Sequence, residues 1–236
     1  MIDSIKLDNY SDINIIYEDN HLLVVDKPEG ILSQEDITKD LDILTVLKKY
    51  LKEKYNKKGD AYLGLVHRLD RRVSGVMVFG KTSKASSRLS ECIRNKEFKK
   101  IYIAICSGYL EGKGKLINKI DKKDGLAVQD ESGKDAVLEY EVIGHFKLDN
   151  DFSVVKINLL TGKYNQIRKQ MELIGHPLIN DFKYGYRGKN YHDSLGLRCV
   201  EIGFNHPTTK EFMTFKGQVI DDKTSWKKYF NLEYGD

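Results

Sequence analysis

Two strand-like apolar runs surround a charged centre between residues 63 and 79, and this pattern constrains the fold more than any other. The runs cover residues 63–66 and 73–79, and the centre is His67-Arg-Leu-Asp-Arg-Arg72. Apolar runs of this length are typical of buried strands, whereas a cluster of charges is typical of a loop. We therefore predict a charged loop held between two β-strands.

Other segments predict a domain that combines strands with helices. Residues 21–27 form an apolar run closed by Pro28-Glu-Gly30, which predicts a buried strand ending in a turn. Residues 99–106 alternate between two faces, as a strand does. Helices are predicted at 41–55 and after the capping residue Thr82, with Ala85, Leu89 and Ile93 on one face. Four further strands are predicted at about 136–143, 152–160, 195–204 and 211–219, and a further helix at about 165–174.

The size of the chain favours a single catalytic domain. Its 236 residues are 40% hydrophobic, which is enough for a substantial core. There are three prolines, no fixed-period repeat and no segment with the composition of a linker. We expect one domain over residues 1–236.

The charge of the chain is distributed unevenly. The net charge is +4, yet residues 81–123 carry twelve Lys or Arg against four acids. Such a stretch can be a phosphate-binding track or an ordinary solvated surface, and the sequence leaves both open. If it is a track, the nearby Tyr102 and Tyr109 can meet bases.

Cysteine spacing and hydropathy indicate a reducing compartment. Cys92, Cys106 and Cys199 form no C-x-x-C pair and fit neither a zinc site nor a disulfide framework. Charged residues interrupt the first twenty positions, and no apolar run approaches the roughly 20 residues of a membrane helix. We expect a cytoplasmic protein that does not contact the membrane.

Asp70 is the candidate catalytic carboxylate because three arginines surround it in sequence. Nearby cations favour the ionised form of a carboxylate, which can then act as a nucleophile or a base. From composition alone, a surface aspartate paired with arginine is the favoured explanation of the loop. Three histidines, His67, His176 and His206, show no metal-ligand spacing and are expected to make structural hydrogen bonds. No metal or cofactor is predicted.

Several segments together resemble the RluA-like family of RNA pseudouridine synthases. They occur in the family's order over about residues 14–220, and the most specific is Val66-His-Arg-Leu-Asp70 with Ser74-Gly75. The others are Ile16-Tyr-Glu-Asp-Asn-His-Leu-Leu-Val-Val-Asp-Lys-Pro-Glu-Gly30, Lys100-Ile-Tyr102, Thr161-Gly-Lys-Tyr-Asn-Gln-Ile-Arg168, Ile174-Gly-His-Pro-Leu-Ile-Asn-Asp-Phe-Lys-Tyr-Gly185 and Phe204-Asn-His-Pro-Thr208. The resemblance implies an α+β pseudouridine synthase fold with a long, mostly antiparallel mixed sheet, outer helices and a central basic cleft. It covers the catalytic domain only, without the S4-like domain that many relatives carry before it.

The resemblance implies that Asp70, Tyr102 and Arg168 are the catalytic residues. Tyr102 matches an active-site tyrosine that packs on the base, and Arg168 matches an arginine that pairs with the catalytic aspartate. In this chemistry the ribose–uracil bond breaks, the base rotates and its C5 joins the same sugar carbon, with no redox change. The carboxylate can attack the sugar carbon or remove a neighbouring proton, and the sequence does not choose between these routes.

The RNA contacts follow from the same resemblance and from charge. Arg68 matches a side chain that takes the place of a base lifted from its stack. Lys163 stands where the family commonly has arginine, and Tyr164-Asn165 stand for Thr-His, while Val73 stands for Thr; these differences bear on substrate identity. The predicted RNA-binding residues are Arg68, Arg71, Lys163, Gln166 and Lys99.

Two alternatives to an RNA pseudouridine synthase remain at this point. The first is an RNA-binding protein with the same fold and no catalysis, although Asp70, Tyr102 and Arg168 are all present. The second is a nucleoside or glycoside hydrolase, which needs a second carboxylate, with Asp26 and Asp181 as the candidates. The expected substrate is structured RNA, with ribosomal RNA favoured over transfer RNA, and no obligate protein partner is predicted.

Overall fold

The computed structural model describes residues 13–191, 194–222 and 224–231. Within these residues, three α-helices lie at Ile43–Lys54 (α1), Ser83–Arg94 (α2) and Gln166–Leu173 (α3). The described part of the chain also contains eleven strands, which form a mostly antiparallel sheet, as predicted: Asn14–Glu18 (β1), Leu22–Lys27 (β2), Gly64–Leu65 (β3), Ser74–Gly80 (β4), Lys99–Ser107 (β5), Lys113–Lys123 (β6), Leu126–Gln129 (β7), Lys134–Lys147 (β8), Asp151–Leu159 (β9), Leu197–Asn205 (β10) and Phe212–Lys216 (β11).

The chain divides into two compact units, each built from two separate segments. Unit 1 comprises residues 13–98 and 201–218, and unit 2 comprises 99–200 together with the described part of 219–231. Strand β10 begins in unit 2 and ends in unit 1. The single catalytic domain expected from the sequence stays a prediction.

Unit 1 is organised around two fully buried strands. In β2 and β4, which pair antiparallel, every residue is buried; apolar residues occupy both faces of each strand, and the polar Asp26, Lys27 and Ser74 at their ends are buried as well. Both helices of unit 1 begin after a capping side chain: that of Thr82, as predicted, accepts the amide of Ala85, and that of Asp42, within the predicted helix 41–55, accepts the amide of Thr45. The segment between β3 and β4 is the predicted charged loop.

Glu18 ties α1 to the strands of unit 1. Its carboxylate accepts hydrogen bonds from Lys54, Lys81, Tyr50 and Tyr55 at 2.7–2.8 Å. Burial by itself would raise the pKa of Glu18, but these four donors lower it to about 2. The carboxylate is therefore charged at neutral pH and holds the helix in place.

Unit 2 contains an antiparallel array of five strands in the order β5, β9, β8, β6, β7. One face, carrying Ile101, Ile103 and Ile105 of β5, packs with Trp226 and Phe230 in an apolar cluster. Helix α3 lies against the other face. There, the Gln170 Nε2 atom donates to the Asn118 Oδ1 atom of β6 at 2.8 Å. Tyr102 alternates with the isoleucines of β5 and thus belongs to the α3 face.

Candidate functional site

The structure gathers the predicted catalytic and RNA-binding residues into two groups, one in each unit. Unit 1 holds Asp70 with Arg68 and Arg71 in the loop between β3 and β4. Unit 2 holds the others, which are Tyr102, Arg168, Lys163, Gln166 and Lys99.

The Asp70 loop is anchored through its apolar residue. Leu69 is buried, and its amide and carbonyl both bond to the Ser33 hydroxyl, at 3.1 and 2.6 Å. Asp70 is half-buried, and its carbonyl accepts the amide of Val73 at 3.0 Å, which closes a turn. Arg68 is exposed on the other side of Leu69. A fixed Leu69 therefore sets the directions of both neighbouring side chains.

Arg71 binds the loop that follows β2. Its Nε atom donates to the Gly30 carbonyl at 2.9 Å, and its Nη1 atom contacts the Asp40 Oδ2 atom at 2.5 Å. The amide of Gly30 returns a bond of 2.8 Å to the Arg71 carbonyl. Gly30 has a φ of 86°, a conformation that side chains with a Cβ seldom adopt. Arg71 thus joins two loops within the protein, and its predicted RNA contact stays a prediction.

Lys27 is a buried cation beside this loop that our sequence reasoning missed. Its side chain is fully buried, and its Nζ atom donates to the carbonyls of Pro28 and Ile31 at 2.9 Å and of Arg71 at 3.5 Å. Burial lowers the pKa of Lys27 to about 7, and the negative charge of Asp70 opposes that shift. The only available signal was a lysine at the end of an apolar run, directly before Pro28.

We expect Lys27→Met to remove a pH dependence of stability that the wild type shows. A lysine pKa lower in the folded than in the unfolded state means that the unfolded chain binds more protons between about pH 7 and 10.5. Wild-type stability should therefore rise with pH in that window, by an amount on the order of 2 kcal/mol between pH 7 and 9.5. Urea unfolding at both pH values measures it.

The control for this experiment is Lys52→Met, which removes a lysine with a side chain 46% exposed. That variant should keep the wild-type difference between the two pH values. If Lys27→Met also keeps the wild-type difference in stability between the two pH values, Lys27 does not titrate in this range.

Arg168 makes a two-pronged ion pair in the interior of unit 2. Its Nε and Nη2 atoms each lie 2.7 Å from one oxygen of Asp181, and the Asp181 side chain is fully buried. The guanidinium also lies over the ring of Tyr184, 4.7 Å from its centroid. Such a fork is rigid, so the direction of the Arg168 side chain is tightly constrained. The expected pairing of Arg168 with Asp70 stays a prediction.

Gln166 holds the start of α3. Its Oε1 atom accepts the Thr161 hydroxyl at 2.8 Å and the amide of Lys163 at 3.0 Å, and its Nε2 atom donates to Gln170 at 2.9 Å. Gln166 is buried, whereas the side chain of Lys163 is half-buried. The helix begins after Asn165, whose φ of 47° is left-handed. Both polar atoms of the Gln166 side chain therefore form hydrogen bonds within the protein. These bonds support a role in shaping the loop before α3.

The two candidates for a second catalytic carboxylate both make contacts within the protein. Asp181 accepts both prongs of Arg168, and the Asp26 Oδ2 atom accepts the amide of Gln218 at 2.6 Å. A hydrolase of the two-carboxylate type would require one of these groups to act as an acid or a base. Their burial and bonding support structural roles instead.

The histidines of the family-like segments also make structural hydrogen bonds. The Nε2 atom of His67 accepts the amide of Val78, and that of His206 lies 2.9 Å from the Asp19 Oδ2 atom. His176 bonds to the Ser107 carbonyl at 2.9 Å. Across the described residues, no group of three or more His, Cys, Asp or Glu is placed to hold a metal ion.

The basic stretch of residues 81–123 includes a strand that sequence analysis did not predict, β6. Its register places Lys113 opposite Glu141, Lys115 opposite Glu139 and Lys119 opposite Asp135. Residues opposite each other in an antiparallel pair point to the same face, so these lysines face carboxylates. For them the solvated-surface interpretation is the better one. Lys99, at the exposed start of β5, remains a predicted RNA contact.

The fold is that of the pseudouridine synthases. The structure superposes on human RNA pseudouridylate synthase domain containing 4 with a TM-score of 0.71 at 21% identity, covering 86% of this chain and 87% of that one. It superposes on human RNA pseudouridylate synthase domain containing 1 with a TM-score of 0.69 at 19% identity, covering 88% and 89%. This agreement confirms the predicted fold class.

Sequence comparison identifies the family. Residues 21–173 match the model of the RNA pseudouridylate synthase family. The dual-specificity RNA pseudouridine synthase RluA of Haemophilus influenzae is 32% identical, covering 87% of this chain and 93% of the relative. The ribosomal large subunit pseudouridine synthase D of Vibrio vulnificus is 31% identical, covering 89% and 68%. The chain belongs to the RluA-like family of RNA pseudouridine synthases and is an isomerase that acts on RNA.

None of the helices in the described ranges is both long enough and apolar enough to cross a membrane.

Proposed function

We propose that this enzyme converts uridine to pseudouridine in ribosomal RNA and that Asp70 carries the reaction. The observation that supports the role of Asp70 is its place in the loop: a half-buried carboxylate directly after the anchored Leu69, between exposed arginines. Ribosomal RNA is favoured because one relative is named as a synthase of the large ribosomal subunit, while another is named as having dual specificity. We place this activity in the cytoplasm and propose no obligate protein partner.

In the proposed reaction, Asp70 supplies the negative charge at the sugar. It either attacks the sugar carbon as the base departs, forming an ester bond that breaks when C5 bonds to that carbon, or removes a proton from the neighbouring carbon and returns it when C5 bonds; the loop geometry is compatible with both routes. Tyr102 packs on the detached uracil, whose C5 then bonds to the sugar carbon as the C5 proton passes to water. Arg168, held by Asp181, contributes a fixed positive charge. Fixed charges are most effective where water is excluded.

Pseudouridine maps of total RNA test the substrate assignment. RNA from cells with and without this gene should differ by the loss of a pseudouridine signal in ribosomal RNA. A loss confined to transfer RNA would overturn the assignment while leaving the chemistry in place. The purified enzyme should also retain all of the uracil in the chain, since release of free uracil would indicate a hydrolase.

Arg68→Ala tests the proposal that this side chain replaces the base lifted from its stack. Arg68 is exposed beside the anchored Leu69, so its loss should leave the loop intact. Turnover on a folded RNA should fall about tenfold more than turnover on an unpaired strand, because only the folded RNA must be unstacked. Binding should change little. An equal loss on both RNAs would contradict the proposed role.

A further inference from the structure

The strand β6 directs one of its lysines toward the face that carries Tyr102 and α3. Opposite residues in the antiparallel array share a face, and the register joins Tyr102 to Ile157, Ile157 to Tyr140 and Tyr140 to Gly114. Along β6 every second residue from Gly114 shares that face, which includes Asn118 and Lys122. Lys113, Lys115 and Lys119 point to the opposite face, where the carboxylates lie.

Lys122 belongs to a contiguous exposed group at the tip of the β6–β7 hairpin. Its Nζ atom lies 4.7 Å from the ring centroid of Tyr164. The carbonyl of Gly125, in the hairpin turn, accepts the Tyr164 hydroxyl at 3.2 Å and the Lys183 Nζ atom at 2.8 Å. We call this group the hairpin patch; it comprises the exposed Lys122, Tyr164, Phe182, Lys183 and Arg187, together with the half-buried Lys163, which precedes Tyr164 in the chain.

The hairpin patch also presents two aromatic side chains, Phe182 and Tyr164, to solvent. Phe182 is 42% exposed, and its carbonyl accepts the Arg187 Nη1 atom at 3.4 Å. Tyr164 is 40% exposed. Two aromatic rings are therefore open to solvent among cations, of which Lys183 and Arg187 are held by contacts to backbone carbonyls and Lys122 by the ring of Tyr164. The combination of cations with exposed rings is typical of surfaces that bind single-stranded nucleic acid.

The cations of the hairpin patch differ from other lysines of unit 2 in their charge environment. Among the residues that the structure describes, none of Lys122, Lys163, Lys183 and Arg187 forms an ion pair with a carboxylate. By contrast, Lys115 pairs with Glu139, Lys169 with Glu172 and Lys123 with Asp130. The acids closest to Lys122 in sequence are Asp121, which alternates to the opposite face of β6, and Asp124 in the turn. The acid closest to Lys183 in sequence is Asp181, whose charge is paired with Arg168. The positive charge of the hairpin patch is thus largely uncompensated.

The hairpin is also fixed to the elements that position Arg168. The hydroxyl of Tyr184 accepts the amide of Ala127 in β7 at 2.7 Å and the side-chain amide of Asn165 at 3.0 Å. The ring of the same tyrosine lies under the Arg168 guanidinium. The patch and Arg168 are therefore parts of one packed structure, and a ligand on the patch is held at a defined position relative to α3.

We infer that the hairpin patch binds a segment of the substrate RNA that flanks the target uridine. Phosphates contact the four cations, and bases stack on Tyr164 and Phe182. Lys122 lies eight residues along β6 from Gly114, which corresponds to about 26 Å, and Gly114 lies three strand spacings, about 14 Å, to the side of Tyr102. The separation of Lys122 from Tyr102 is therefore about 30 Å, on the order of nine nucleotides at about 3.4 Å per stacked nucleotide. The inference rests on the proposed function, since it assigns a further contact of the same RNA.

Charge neutralisation with a matched control tests the hairpin patch. The test variant is Lys122→Gln/Lys183→Gln/Arg187→Gln, and the control is Lys113→Gln/Lys115→Gln/Lys119→Gln, which removes the same charge from the opposite face of β6. Affinity for a folded RNA with long flanks is measured against salt concentration. The slope of log affinity on log salt should fall by about 2 in the test variant, at roughly 0.7 per lost phosphate contact. Its affinity near 0.1 M salt should fall at least tenfold, and the control should change less than twofold.

A short RNA of about five nucleotides centred on the uridine gives the second measurement. It cannot reach the patch, so wild type, test variant and control should bind it alike. This comparison also detects misfolding, because a misfolded test variant would lose the short RNA as well. Turnover at saturating long RNA should be the same in all three proteins.

The outcomes separate this inference from the proposed function. If the test variant and the control bind the long RNA alike, the hairpin patch does not bind RNA and the inference fails. If the long RNA is a fragment of ribosomal RNA and the wild type forms pseudouridine in it, the proposed function stands regardless. If the wild type forms no pseudouridine in any ribosomal RNA, the proposed function fails, whatever the salt slopes.

Discussion

Asp70→Asn should abolish pseudouridine formation while leaving the fold and RNA binding intact. The amide has nearly the same shape as the carboxylate, but it lacks the charge and the basicity that both possible routes require. The loop should survive because its anchor is the buried Leu69 and its turn uses the backbone of residue 70. Loss of a group that performs the chemistry is expected to lower turnover by about 10⁴-fold or more.

Single-turnover assays with excess enzyme measure this loss, with thermal unfolding and RNA affinity recorded in parallel. The matched control is Asp60→Asn, which removes an acid whose side chain is 99% exposed. That control should retain wild-type turnover. A folded Asp70→Asn protein that forms pseudouridine at the wild-type rate would remove Asp70 from the mechanism.

Arg168→Met should destabilise the protein strongly and stop turnover. The substitution leaves the carboxylate of Asp181 fully buried without its ion-pair partner. Breaking a buried pair in this way costs about 3–5 kcal/mol of unfolding free energy. For a chain of this size, that loss lowers Tm by roughly 6–20 °C.

The double variant Arg168→Met/Asp181→Leu separates stability from chemistry. Replacing both charges with apolar groups removes the buried, unpaired carboxylate, so much of the lost stability should return. Turnover should stay low, because the proposed role of Arg168 is a charge that acts in the reaction. If the double variant recovers turnover together with stability, Arg168 is a structural residue only and its catalytic assignment fails.

Local patterns in the sequence were sufficient for the elements that depend on short-range interactions. The helices after Asp42 and Thr82 begin where a capping side chain precedes an apolar stripe. The buried strands β2 and β4 appear as apolar runs, because both of their faces are covered. The helix starts are decided by interactions between residues that are close in sequence. The two strands are buried so completely that their apolar composition is sufficient to predict them.

Strand β6 was missed because its apolar content is low, and β7 was missed because it is only four residues long, too short to indicate a strand by itself. In β6, exposed and half-buried positions alternate, and the exposed ones are mostly lysines. Its position is decided by pairing with β8, and a pairing partner cannot be identified from the composition of one segment. The sequence therefore indicates the total charge of the basic stretch but not the face on which each lysine lies.

The sequence by itself determined the family, the catalytic carboxylate as a candidate and the order of the main motifs, because these depend on residue identity along the chain. Only the tertiary structure decided what each charge faces. The register placed Lys113 and Lys115 opposite glutamates, packing buried Arg168 against Asp181, and the turn after β2 enclosed Lys27. The physical reason is that the energy of a charge depends on its neighbours in space and on its burial. Both are set by contacts between residues far apart in sequence.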